Sequence, residues 1–309
     1  MKPRSDNPLQ PGNESAYQVW RAKKLAHIVT DIADLRVAIK NPSLLSPDEI
    51  QQISARIEQG NLAIFSLTDP QGFSATGLKT LGAQLGLHRL DNNLYANDAD
   101  ISELRAIETG RRGEYIPYTN RAMSWHTDGY YNHPDHSIRA FILYCVSAAH
   151  SGGTNQLIDP ELIYIALRDE NPAFITALMQ SDVLTIPETV EDGKLIRPQQ
   201  QSAVFTIDPL SGALLTRYTQ RKTYIQWKND PTTQAALTYL GELLRSDTTP
   251  ILEYRLQPGE GLICNNVLHK RSAFEDSENR QRVMYRARYY DRFAGAQHTT
   301  ANNPVSKTC

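Results

Sequence analysis

The sequence predicts a mainly β chain, a β-sandwich core with helical decoration, and three observations carry that expectation. Strand-like segments dominate the carboxy-terminal half, at 204–207, 214–218 and 251–256. Helical spacing is confined to the start and to insertions. With 309 residues, 40% hydrophobic and 21% charged, the chain is long enough for one enlarged domain, and it shows no internal repeat or low-complexity tract that would divide it.

The elements follow in order. Residues 1–15 are polar and rich in Pro and Asn, and are expected to be disordered, leaving 16–309 as a single catalytic domain. Tyr17, Trp20, Leu25, Ile28, Val29, Ile32 and Leu35 recur at helical spacing and predict one amphipathic helix. Ser46-Pro47-Asp48-Glu49 reads as a capping box with Pro at the first helical position, opening a helix that Gly60 closes. Residues 61–67 read as a strand and 74–85 as a helix ended by Gly86. The stretch 105–159 reads as strands and loops, including 140–146. A helical insertion follows around 159–180, interrupted near Pro172, and Ala236, Leu237, Leu240, Leu243 and Leu244 mark a further helix.

Composition narrows the function. A net charge of −2 offers no broad positive surface, which argues against nucleic acid and acidic membranes as partners. Cys145, Cys264 and Cys309 are odd in number and lack a CxxC spacing, so neither a disulfide framework nor a thiolate zinc site is expected. The start lacks the apolar core of a signal peptide, and no later run approaches the roughly 18 apolar residues of a membrane span. A cytoplasmic enzyme acting on a small molecule, with a homo-oligomer as the default assembly, is the expectation.

The chemistry concentrates in three places. Trp125-His126-Thr127-Asp128-Gly129 sets an imidazole and a carboxylate two positions apart, on one side of an extended chain, where both can reach one ion. Eight histidines make a chance pair of this kind ordinary, and His133-Pro134-Asp135 is a second one, read as a turn. After the turn at Pro258-Gly259-Glu260-Gly261, residues 261–269 read as one buried strand ending in His269. Two histidines and one carboxylate leave three adjacent coordination positions open, which suits non-haem Fe(II). Residues 280–290 then read as a strand with Val283, Tyr285, Ala287 and Tyr289 on one face and Arg282, Met284, Arg286 and Arg288 on the other. Guanidiniums buried without partners would cost several kcal/mol each, so an inward face calls for a bound carboxylate; the alternative is a solvated basic face.

Trp125 to Gly129, Gly152-Gly153-Thr154, Val267 to Phe274 and Arg282 to Arg286, in this order, resemble the TauD/TfdA family of 2-oxoglutarate-dependent dioxygenases, over about half of the chain. The resemblance implies a double-stranded β-helix, the jelly roll of clavaminate synthase-like proteins. It implies His126, Asp128 and His269 as the metal ligands and catalytic centre for Fe(II), with 2-oxoglutarate and O2 as co-substrates. Thr154 and Arg282 match residues that hold the far carboxylate of 2-oxoglutarate, and Arg286 matches an arginine close to the co-substrate or to an anionic group of the substrate. Asn265-Asn266 stands where many members have Asp-Asn, a change beside the ligands rather than among them. The activity implied is hydroxylation, or another oxidation, of an unactivated C–H bond in a small polar metabolite, with release of succinate and CO2. Two other classes fit parts of the pattern: a metal-dependent hydrolase, which has no use for the arginine strand, and a small-anion sensor, which has no use for iron. Tyr115, Tyr118, Trp125, Tyr130 and Tyr131, with Arg217, Tyr218, Tyr224 and Trp227, read as core or rim packing more readily than as an aromatic cage.

Overall fold

The computed structural model describes residues 6–91, 100–107, 113, 115–191 and 193–293; residues 1–5, His298 and Cys309 lie outside them. Two sheets lie at its centre. The larger has six strands in the order Arg36–Ile39, Leu62–Leu67, Glu260–Cys264, Ala140–Ser147, Val283–Tyr289 and Ser102–Leu104. The smaller has four, in the order Leu252–Tyr254, Asn155–Ile158, Leu268–Arg271 and Met123–His126. All neighbours in both sheets are antiparallel except the first two strands of the larger, which run parallel and are joined by the helix Pro47–Gly60.

Strand alternation sorts the side chains into layers. Along 141–145, Phe141, Leu143 and Cys145 join an inner cluster with Leu262, Cys264, Met284 and, from the smaller sheet, Leu157 and Leu252. Ile142 and Tyr144 point the other way, packing with Ile53 and Ile57 of one helix and Leu78 and Leu81 of the helix Ala75–Gln84. The outer face of the smaller sheet presents Trp125, Ile158 and Leu268 to the helices Glu14–Leu25, Pro160–Glu170, Pro172–Leu178 and Pro231–Leu243. Helices therefore cover the outside of both sheets, and the space between the sheets is left for the site. No helix among the described residues is long and apolar enough to cross a membrane.

Several local expectations hold. Ser46 and Glu49 form the reciprocal capping box with Pro47 in the first turn, and Asn61 ends that helix in a left-handed conformation. Three expectations need correction. The first helix stops at Leu25, because β-branched Val29 and Thr30 interrupt it and Asp31 caps a separate short turn, Ile32–Leu35. Residues 6–13 are not a loose tail: Leu9 is buried, its carbonyl accepts from the Tyr164 hydroxyl, and the Pro8 carbonyl accepts from Arg168. The run 261–269 is two strands, one in each sheet. Asn265, Asn266 and Val267 carry the chain across, with Asn266 at φ +50°, a conformation that Asn tolerates better than most residues.

Candidate metal centre

His126 ends its strand and His269 lies directly opposite it on the neighbouring one. Both imidazoles therefore point into the space between the sheets, with ring centroids 4.2 Å apart. Each Nδ1 donates to a backbone carbonyl two residues earlier, Ser124 for His126 and Val267 for His269, at 2.9 Å in both cases. That fixes the tautomer and leaves each Nε2 with a free lone pair. The Nε2 atoms stand 3.7 Å and 3.9 Å from Asp128 Oδ1. His126, Asp128 and His269 thus present three ligand atoms lying within 4.8 Å of one another.

Asp128 is held by its backbone as much as by its position. Asn266 Oδ1 accepts from the Asp128 N–H at 2.8 Å, while Nδ2 donates to the Asp128 and Ile138 carbonyls. The following Gly129 has φ +65°, and a Cβ there would fall 2.4 Å from Ile138, so the motif glycine is a steric requirement. A further segment completes this edge: Thr127 N–H donates to the Tyr218 carbonyl, Gln220 N–H to the Trp125 carbonyl, and Thr219 bridges His126. Buried Arg217 anchors the loop beyond, donating to the Asn132 carbonyl and the Ser137 hydroxyl.

The electrostatics suit a cation. Burial opposes ionisation of Asp128, yet the Arg286 guanidinium beside it holds the carboxyl well below the usual range. Arg286 Nη1 sits 3.2 Å from both carboxylate oxygens, but Oδ2 gains no hydrogen bond from it and stays buried without one. Burial, reinforced by the neighbouring His126, pushes His269 down to about 3, so it is a neutral donor near pH 7. Two imidazoles whose Nε2 atoms face one carboxylate, ionised and with an unsatisfied oxygen, fit a divalent transition metal.

The arginine strand faces inward. Met284 lies in the inner cluster and Ala287 and Tyr289 in the outer one, which sets Arg286 and Arg288 toward the site. Arg282 precedes the strand, beyond a register shift at Val283/Met284, and is placed instead by its contact with the Gly152-Gly153 segment. Their partners differ. Arg288 is committed to Asp91 and to the Tyr131 hydroxyl, so it is not free for a ligand. Arg282 is 5% exposed, makes no side-chain hydrogen bond among the described residues, and leaves Nη1 buried and unsatisfied; its guanidinium lies 5.1 Å from the Phe274 ring centre. Burial pushes its pKa down to about 10. The Gly152-Gly153-Thr154 segment passes beside it: a Cβ on Gly153 would lie 3.6 Å from Arg282 Nε, and one on Gly152 would lie 2.2 Å from the Ala273 carbonyl oxygen. Thr154 is tied there through backbone and side-chain bonds with Ser272.

Other expectations also meet the structure. His133 and Asp135 flank an exposed short turn and join no cluster of three metal-ligating residues among the described ones. Trp125 and Tyr218 are core residues and Tyr224 is exposed, so the aromatics pack rather than form a cage. Arg271 was not singled out from the sequence, although it stands two positions after His269 and so shares its inward face.

The profile of the taurine catabolism dioxygenase TauD, TfdA family matches residues 22–288. A uridine-5′-phosphate dioxygenase from Amycolatopsis sp is 28% identical over 274 residues, covering 82% of this chain and 96% of the relative. One from Streptomyces sp is 29% identical over 203 residues, covering 63% and 71%. Among solved structures, a taurine dioxygenase from Burkholderia xenovorans superposes with a TM-score of 0.54 at 14% identity, over 83% of this chain and 88% of that one. An asparagine oxygenase in complex with Fe(II), 2S,3S-3-hydroxyasparagine and succinate does so at 0.55 and 12% identity, over 82% and 93%. At such identities these two likenesses speak for the fold alone. The family match spans most of the chain: it belongs to the TauD/TfdA family and is a 2-oxoglutarate-dependent dioxygenase.

Proposed function

We propose that His126, Asp128 and His269 hold Fe(II), and that the two sheets form the jelly roll in which such a centre sits. The observation that supports this most is the pairing of a compact His-Asp-His cluster with an inward arginine face beginning at Arg282, whose guanidinium has no ion-pair partner among the described residues and a buried, unsatisfied Nη1. A hydrolase gives that arginine no task. Fe(II) held there, together with 2-oxoglutarate and O2, supplies oxidation of an unactivated C–H bond with release of succinate and CO2.

The chain's own residues do the rest. Arg282 receives the far carboxylate of 2-oxoglutarate, with the Thr154 hydroxyl beside it, by charge-assisted hydrogen bonds that a planar guanidinium can make in pairs. Arg286 neutralises Asp128 from the side and borders the co-substrate. The apolar inner cluster, with Phe141 against the His269 ring, keeps water from the reacting atoms. The substrate is a small metabolite, and by likeness to the two named relatives a nucleoside 5′-phosphate is the class to test first. Arg221 and Lys222, exposed on the segment that pairs with His126, offer positive charge there. Free, buried Cys145 and Cys264 are consistent with a cytoplasmic protein.

Anaerobic titration of the metal-free protein with Fe(II) and then 2-oxoglutarate tests this reading. A weak visible charge-transfer band, absent in Asp128→Ala, is the expected result. Iron binding without the band would remove 2-oxoglutarate from the scheme. Succinate release on adding uridine 5′-phosphate then tests the substrate class.

A further inference from the structure

Arg282 is not the only buried guanidinium at its end of the site. Arg271 comes from the opposite sheet, is 5% exposed, and lies 4.9 Å from the centre of the same Phe274 ring that Arg282 approaches. Its Nη2 donates to the Thr119 and Arg121 carbonyls, but Nε is buried without a partner. Among the described residues neither arginine forms an ion pair. Asp276, the carboxylate near Arg282, accepts from the Arg282 backbone N–H instead. Two like charges beside one ring, both removed from water, repel each other, and no carboxylate pairs with either guanidinium among the described residues. An anion between the sheets would relieve both. Arg271 is paired across the strands with Asn155, the residue after Thr154, so it shares the end of the site to which Thr154 belongs.

We propose that Arg271 and Arg282, one from each sheet, form a two-arginine seat for the far carboxylate of the co-substrate, so that Arg271 is a second binding residue for it. This rests on the 2-oxoglutarate reading above. It differs from a purely structural role, in which Arg271 would only pin the 119–121 segment. The seat discriminates by charge: a 2-oxo acid with a second carboxylate engages it, and one without cannot.

The test is anaerobic calorimetry on the Fe(II)-loaded full chain with two probes, 2-oxoglutarate and 2-oxovalerate, which keeps the metal-binding head and lacks the far carboxylate. Arg271→Gln is expected to weaken 2-oxoglutarate about tenfold to a hundredfold, the range of one lost charge-assisted hydrogen bond, and to leave 2-oxovalerate unchanged. In an Arg282→Gln background the same change should cost less, because the seat is already broken. Arg271→Lys keeps the charge and guards against a folding failure; it should show a smaller loss with the same selectivity for the dicarboxylate. Equal weakening of both probes, or none of either, overturns the proposal and leaves Arg271 as a structural clamp. Should the unmodified protein itself fail to prefer 2-oxoglutarate over 2-oxovalerate, the co-substrate reading falls, and the seat with it.

Discussion

The two ends of the space between the sheets are built differently. At the candidate metal end each of the three side chains is held by the protein itself: both Nδ1 atoms are bonded to carbonyls, and Asn266 brackets the Asp128 backbone. At the other end Arg271 Nε and Arg282 Nη1 are buried without a hydrogen-bond partner among the described residues. The first is complete in geometry and awaits an ion. The second leaves buried donors and two positive charges unpaired among the described residues, and a carboxylate is the partner proposed for them.

Changes at each end should therefore have opposite signatures. Asp128→Ala is expected to do most, lowering Fe(II) affinity beyond the roughly 100-fold that loss of an outer-sphere partner produces and abolishing turnover, as read by anaerobic metal titration. Asn266→Ala should cost about 10–100-fold in metal affinity while leaving the three ligands in place. Adding 2-oxoglutarate at about 100 times its Kd to metal-loaded protein should raise unfolding free energy by about 2.7 kcal/mol in denaturant titrations. Arg282→Met tests the contrast most sharply. It should stabilise the ligand-free protein, by about 1–2 kcal/mol, since an unpaired buried charge is replaced by an apolar side chain of similar length, and it should also erase the stabilisation by 2-oxoglutarate. A loss of ligand-free stability would mean that Arg282 has a partner in solution. Ser46→Ala, in the capping box remote from both ends, should cost about 1 kcal/mol and change neither metal nor co-substrate affinity.

How much of this was legible beforehand depended on whether the signal was local. The capping box at Ser46 and the alternation from Met284 to Tyr289 are written in consecutive residues and folded as read, while the strand expected over 280–290 starts only at Val283, with a register shift beside it. The His-Asp pair was legible only alongside His269, because one HxD has a rival at His133. The crossing at Asn265-Asn266 was not: apolar residues on both sides of the two asparagines make 261–269 read as one strand, and only the two sheets between which it passes require a turn there. Arg271 was missed for a related reason. Its meaning depends on Arg282 and Phe274, which reach it through tertiary structure, whereas sequence offered only its spacing from His269.

That crossing has a consequence for how the protein matures. It delivers the Leu268–Arg271 strand from one sheet to the other, opposite a strand laid down much earlier in the chain. During synthesis His126 and Asp128 emerge long before His269, which meets His126 only when the Leu268–Arg271 strand pairs with Met123–His126 in the smaller sheet. If the three side chains hold iron as proposed, a chain made only as far as residue 268 would offer the metal two of them, and the third would come with the last strand of the smaller sheet.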